Sequence, residues 1–150
     1  IAGPSLAVRP GGDEASRLAR LVERWRLADR IRFLGPATPE RAMQLLAAAD
    51  VVAVPSRLES LNKVCVEATS VGTPFVVTET TGISAWARAA NVGAVVPAAD
   101  EQSLAQGLLT ALGCSTPLAS DRIAGFVRPF SPRTVAAAVI DFYREVTGLA

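Results

Sequence analysis

The chain has 150 residues, a length that fits one domain, with half of them hydrophobic and 19% charged. Its net charge of +1 and the acids that interrupt the arginines of "RLARLVERWRLADRIR" give no support to a nucleic-acid footprint. With no histidine and only two well-separated cysteines, Cys65 and Cys114, neither a zinc site nor a histidine-based triad is available.

The cysteines read as reduced, buried thiols. No apolar run approaches a membrane span and no signal peptide is visible, so a cytoplasmic location is expected. "IAGPS" resembles the end of a strand, which predicts a fifth strand ending near Ile1 and a sequence that begins inside a domain.

In chain order, "RPGG" is a turn and "DEASRLARLVERWRL" an amphipathic helix with a solvated arginine face. "RIRFLG" predicts a strand over 31–34, stopped by Gly35. "PERAMQLLAAAD" predicts a helix with Thr38 as N-cap and Pro39 in its first turn. "VVAVP" is a short apolar strand over 51–54. A helix carrying Glu67 follows, closed by Gly72. "PFVVTE" gives a strand over 74–78, "ISAWARAA" a short helix, and "AVVP" a strand over 94–96. "DEQSLAQGLLTALG" is a helix with Asp100 as cap and Gly113 as stop. "SPRTVAAAVIDFYREV" is a last helix capped by Ser131.

Continuous apolar strands alternating with helices predict an α/β fold, a doubly wound parallel sheet of Rossmann-like type. Such a sheet places ligands at the carboxyl ends of its strands, near helix N-termini. Within this chain the loop "PSRLES" is one of those ends, and it leads into "ESLNKVCVEA". A helix starting near Leu61 or Asn62 offers free amides at Ser60, Leu61, Asn62 and Lys63, suited to phosphate. Asn62 fits a tight turn. Glu67 stands inside an apolar run, and its carboxylate matches vicinal ribose hydroxyls. Glu59, at the loop tip, is placed for hydroxyls beyond the phosphate. The alternative on spacing alone is that Glu67 caps or pairs with an arginine and Glu59 is solvated.

The stretch "ADVVAVPSRLESLNKVCVEATSVGTPFVVTETTG" resembles the signature region of the family 4 retaining glycosyltransferases, which have a two-domain B-type fold. The matching features are Ala49-Asp50, the apolar strand, Pro55-Ser56, Glu59, Glu67-Ala68 and Gly72-Thr73-Pro74. The resemblance covers nearly the whole chain and corresponds to the C-terminal, donor-nucleotide half. It implies a sugar transferred with retention from a nucleoside diphosphate sugar to an acceptor hydroxyl, with no catalytic metal and no cofactor. It implies that Glu59 contacts the donor sugar and acts in catalysis, and that Glu67 binds the ribose. The amides of 60–63 would face the diphosphate, and the backbone near Pro36-Ala37 the base.

The sequence departs from the family in four places. Leu61-Asn62 replaces a Phe-Gly pair. "TTGISAW" keeps only Gly82 of two glycines, with Trp86 near the place of an acid; Trp86 is read as packing on the core rather than on a ligand. An Arg and a Lys for the diphosphate, expected upstream of Ile1, have no counterpart, although Arg57 and Lys63 are possible substitutes. An acceptor-binding N-terminal domain is absent, so a fragment or part of a split enzyme is expected, inactive alone. The competing reading is a non-catalytic nucleotide-binding or protein-interaction module derived from that fold.

Overall fold

A computed structural model describes residues 14–114 and 118–148, in two units that divide between Gln44 and Leu45. The strand expected to end near Ile1 lies outside the described residues.

In the first unit, α1 spans Glu14–Arg24. Leu18, Leu21 and Val22 recur at helical spacing and are half-buried, while Arg20 and Arg24 are exposed, as the amphipathic pattern requires. The run 31–34 is not a strand. An apolar run becomes a strand only through a paired neighbour, and the described residues supply none. Ile31 instead closes the turn after α1, its amide donating to the Leu27 carbonyl at 3.1 Å. Helix α2, Pro39–Ala47, starts where the cap and proline predict: the Arg41 amide donates to Thr38 Oγ1 at 3.3 Å.

The second unit holds a three-stranded parallel sheet in the order β1 (Val52–Val54), β2 (Phe75–Thr78), β3 (Ala94–Val96). Val52 pairs with Phe75, and Val76 with Ala94. Parallel neighbours need long crossovers, and here each one is a helix. Helix α3 (Lys63–Ser70) joins β1 to β2, and α4 (Ser84–Ala90) joins β2 to β3. Helix α5 (Glu101–Gly113) follows β3, then α6 (Ser120–Val127), a short 3₁₀ turn (Arg128–Phe130) and α7 (Pro132–Thr147).

All four residues of β2 are buried, and their alternation shows that both faces of the sheet are covered. Phe75 and Val77 join Cys65, Ile83, Ala87, Val92 and Phe126 in one core beneath α3, α4 and α6. Val76 faces the other way, toward α5. A Cβ on Gly107 of that helix would lie 3.1 Å from Val76 Cγ1 and 2.9 Å from Val96 Cγ1. The fold is thus the Rossmann-like α/β arrangement that the pattern predicts.

Helix α6 has no counterpart in the sequence reading. It begins after Ala119, which offers no side-chain cap, and it contains Gly125. Its contribution is tertiary: Phe126 is fully buried, with its ring 5.9 Å from those of Phe75 and Phe130. Trp86, expected to pack on the core, is instead exposed and touches the structure through an edge-on contact with Phe130 at 5.3 Å at the rim of the core. The two thiols are not joined; Cys65 is buried as expected, but Cys114, past the end of α5, is exposed.

Candidate functional site

The site is built on the loop leaving β1 and on α3. Helix α3 starts at Lys63, one or two positions later than expected, because Asn62 sits in the left-handed region at φ 65°, ψ 87°. Asn tolerates that region better than most residues. The helix ends in a Schellman motif. The Thr73 amide donates to the Ala68 carbonyl at 2.9 Å and the Gly72 amide to the Thr69 carbonyl at 3.0 Å, with Gly72 at φ +80°. The stripe Cys65, Ala68, Thr69 is buried.

Helical spacing rotates Glu67 away from that stripe, so it is not the buried charge that its apolar neighbours in the sequence suggest. Its side chain keeps 27% of its exposure and pairs with Lys63 Nζ at 2.9 Å. The partner is thus not the arginine of the alternative reading but a lysine one turn back.

Glu59 is held more tightly. Its Oε2 accepts from Ser56 Oγ at 3.1 Å and from Asn62 Nδ2 at 3.0 Å. Its Oε1 accepts no hydrogen bond among the described residues. Its backbone is stitched to the turn after β2: it forms a bridge with Thr81, its amide donates to the Thr80 carbonyl, and its carbonyl accepts from the Gly82 amide at 3.1 Å. The Ser56 carbonyl accepts from Thr78 Oγ1 and, at 3.3 Å, from Thr80 Oγ1. Gly82 is required for this stitch, since a Cβ there would collide with the Ser60 carbonyl oxygen. None of these contacts across the two loops is legible in the sequence, because each joins residues about twenty positions apart.

Beneath the loop lies Cys65. Burial, with the Glu59 charge as a lesser cause, pushes its thiol from 9.0 up to about 12. This cysteine stays protonated at neutral pH and is no nucleophile.

Ser60, Leu61 and Lys63 are exposed and Asn62 is half-buried. At the first turn of α3 the Cys65 amide donates to the Asn62 backbone carbonyl at 3.3 Å, and the Asn62 side chain caps none of the amides, which leaves those of Lys63 and Val64 without a cap. Ala37 belongs to the other unit, on the segment entering α2. Arg57 lines a depression of about 200 Å³ at the carboxyl ends of all three strands, beside Thr78, Pro97 and Asp100. A larger cavity of about 510 Å³ opens at the opposite pole, between Asp50, Pro74, Gly93 and Arg122. The predicted site residues line neither. Among the described residues, no cluster of His, Cys, Asp and Glu is suited to holding a metal ion.

The profile of the family described as "Glycosyl transferases group 1" matches residues 5–114. A D-inositol 3-phosphate glycosyltransferase of Corynebacterium jeikeium (strain K411) is 39% identical over 98 residues, covering 65% of this chain and 23% of that protein. This chain thus spans about a quarter of the length of that relative. Sucrose-phosphate synthase from Thermosynechococcus elongatus superposes with a TM-score of 0.83 at 26% identity, covering 99% of this chain and 38% of the other. Anabaena HepE in complex with UDP-glucose superposes with a TM-score of 0.73 at 22% identity, covering 99% of this chain and 40% of the other.

Proposed function

This chain belongs to the group 1 glycosyltransferases, and on that premise we propose that it forms the donor-nucleotide half of a retaining glycosyltransferase. The substrate is a nucleoside diphosphate sugar, and the sugar passes to an acceptor hydroxyl. The bond between the anomeric carbon and the diphosphate breaks, and the diphosphate leaves with the electron pair. The acceptor oxygen bonds on the same face and passes its proton to the departing phosphate oxygen.

The roles proposed are these. The uncapped amides of Lys63 and Val64 at the start of α3 face the diphosphate and stabilise it as it leaves. Glu59 presents Oε1 to the sugar while Oε2 is held by Ser56 and Asn62. Glu67 exchanges its exposed pairing with Lys63 for the ribose hydroxyls, which leaves the ammonium at the phosphate-binding end of the helix. The family resemblance alone assigns the base to the backbone near Pro36-Ala37. The reaction uses no metal or cofactor. The reading also calls for an acceptor-binding domain, and for a diphosphate Arg and Lys, outside these 150 residues. Without them the isolated chain binds donor but transfers no sugar. No described helix is long and apolar enough to cross a membrane, and a cytoplasmic place of action belongs to the same proposal.

The observation that carries this reading is the pairing, at the carboxyl end of β1, of a carboxylate anchored through one oxygen with an uncapped helix N-terminus. A structural neighbour holding UDP-glucose is in keeping with it. Thermal shift and calorimetry with UDP, ADP, GDP and the glucose ester of each test it. At least one nucleotide should raise the melting temperature. No response to any of them overturns the donor reading.

A further inference from the structure

Among the described residues, four helices begin at a residue whose side chain is suited to capping them. Thr38, Asp100 and Ser131 do so, accepting from the amides of Arg41, Ser103 and Thr134 at 3.3, 2.9 and 3.2 Å. Asn62 does not, although Asn is among the strongest N-cap residues. Its Nδ2 instead donates to Glu59 Oε2 at 3.0 Å. A carboxylate only accepts, which fixes the orientation of the amide. Asn62 Oδ1 is then buried with no partner among the described residues.

Asn62 thus carries three costs at once: a forgone cap, an orphaned acceptor and a left-handed backbone. What the position gains in return is the bond to Glu59. We infer that Asn62 is a positioning residue, which fixes the Glu59 carboxylate toward the donor sugar and leaves the Lys63 and Val64 amides of α3 open to the diphosphate. Gly, which the family resemblance places at this position, keeps the backbone but supplies no donor. The inference rests on the donor-site reading of Glu59.

The test compares Asn62→Gly and Asn62→Asp with the parent chain, by calorimetry with UDP and UDP-glucose, and with ADP, GDP and their glucose esters as alternative bases. Gly takes φ 65° without strain and costs little at an N-cap. The Asn62→Gly melt should therefore be unchanged or raised. Its nucleoside diphosphate affinity should stay within about twofold, while affinity for the sugar ester falls about fivefold, the scale of one hydrogen bond. Asn62→Asp keeps size and backbone tolerance but sets a carboxylate against Glu59, and should lose at least as much. Unchanged sugar-ester affinity in both variants overturns the inference. An equal loss for the diphosphate and its sugar ester also overturns it, since that marks a collapsed loop rather than a misplaced carboxylate. If the parent chain binds none of these nucleotides, the donor reading itself fails and takes the inference with it.

Discussion

Replacing Glu67 by Ala separates a structural glutamate from a ligand-binding one, because the two roles differ in size. The structural role is the pair with Lys63 at 2.9 Å, whose partners are 83% and 27% exposed. An exposed i,i+4 pair contributes about 0.3–0.5 kcal/mol. This one runs in the less favourable order, with lysine N-terminal to glutamate. Its loss should therefore lower stability by no more than about 0.5 kcal/mol. Alanine's better helix propensity offsets part of that. A carboxylate forked onto ribose hydroxyls makes hydrogen bonds to a charged group, about 1.5–3 kcal/mol, or roughly ten- to 150-fold in affinity. Calorimetry with the best-binding nucleoside diphosphate measures the second quantity and a urea melt the first. The expected result is a nearly unchanged melt with at least tenfold weaker binding. A folded Glu67→Ala variant that binds the nucleotide as the parent does refutes the ribose assignment.

Three further outcomes follow from the same geometry. Gly82→Ala forces the Ser60 carbonyl away and breaks the stitch between Glu59 and the turn after β2; two hydrogen bonds set the cost at about 1–3 kcal/mol in a thermal melt, with weakened sugar-ester binding, and an unchanged melt refutes the packing. Phe126→Ala opens a cavity between α6 and β2 and should cost about 3–5 kcal/mol by urea titration; a loss under 1 kcal/mol would place Phe126 outside the core. The Cys65 thiol is raised from 9.0 to about 12 in the fold, so the unfolded chain gives up its proton first as pH rises. Its contribution is complete below about pH 9 and is lost between about pH 9 and 12. Cys65→Ala should flatten the fall in stability over that range, and a thiol reagent at pH 8 should modify Cys114 alone until the chain is unfolded.

The parts of this fold that local chemistry dictates were readable. Thr38, Asp100 and Ser131 announce helix starts because a cap acts within three residues of itself. β2 and β3 were readable as apolar runs ended by polar or proline residues. The run 31–34 is not a strand among the described residues, although Gly35 at its end forms a bridge, because apolar content does not by itself supply a pairing partner. Helix α6 was missed because Ala119 and Gly125 carry no local signal and its worth lies in Phe126 reaching β2. At the site, the spacing of Glu59 and Glu67 was legible, and so was the turn at Asn62. That Glu67 escapes burial follows from helical rotation, which a linear reading of "VCVEATSV" obscures. The anchoring of Glu59 depends on Thr80, Thr81 and Gly82, distant in the chain and brought near only by the register of β1 on β2.

The bridge between Glu59 and Thr81 makes two loops behave as one. Loops normally open singly and at little cost, and their amides exchange with solvent quickly. Here the Glu59 and Gly82 amides are both engaged across the gap, so neither is released without the other segment. The segment that positions a carboxylate and the segment that starts α4 form one cooperative opening unit. A disturbance at the head of α4 is therefore felt at Glu59 as a change in how often the whole clasp is undone.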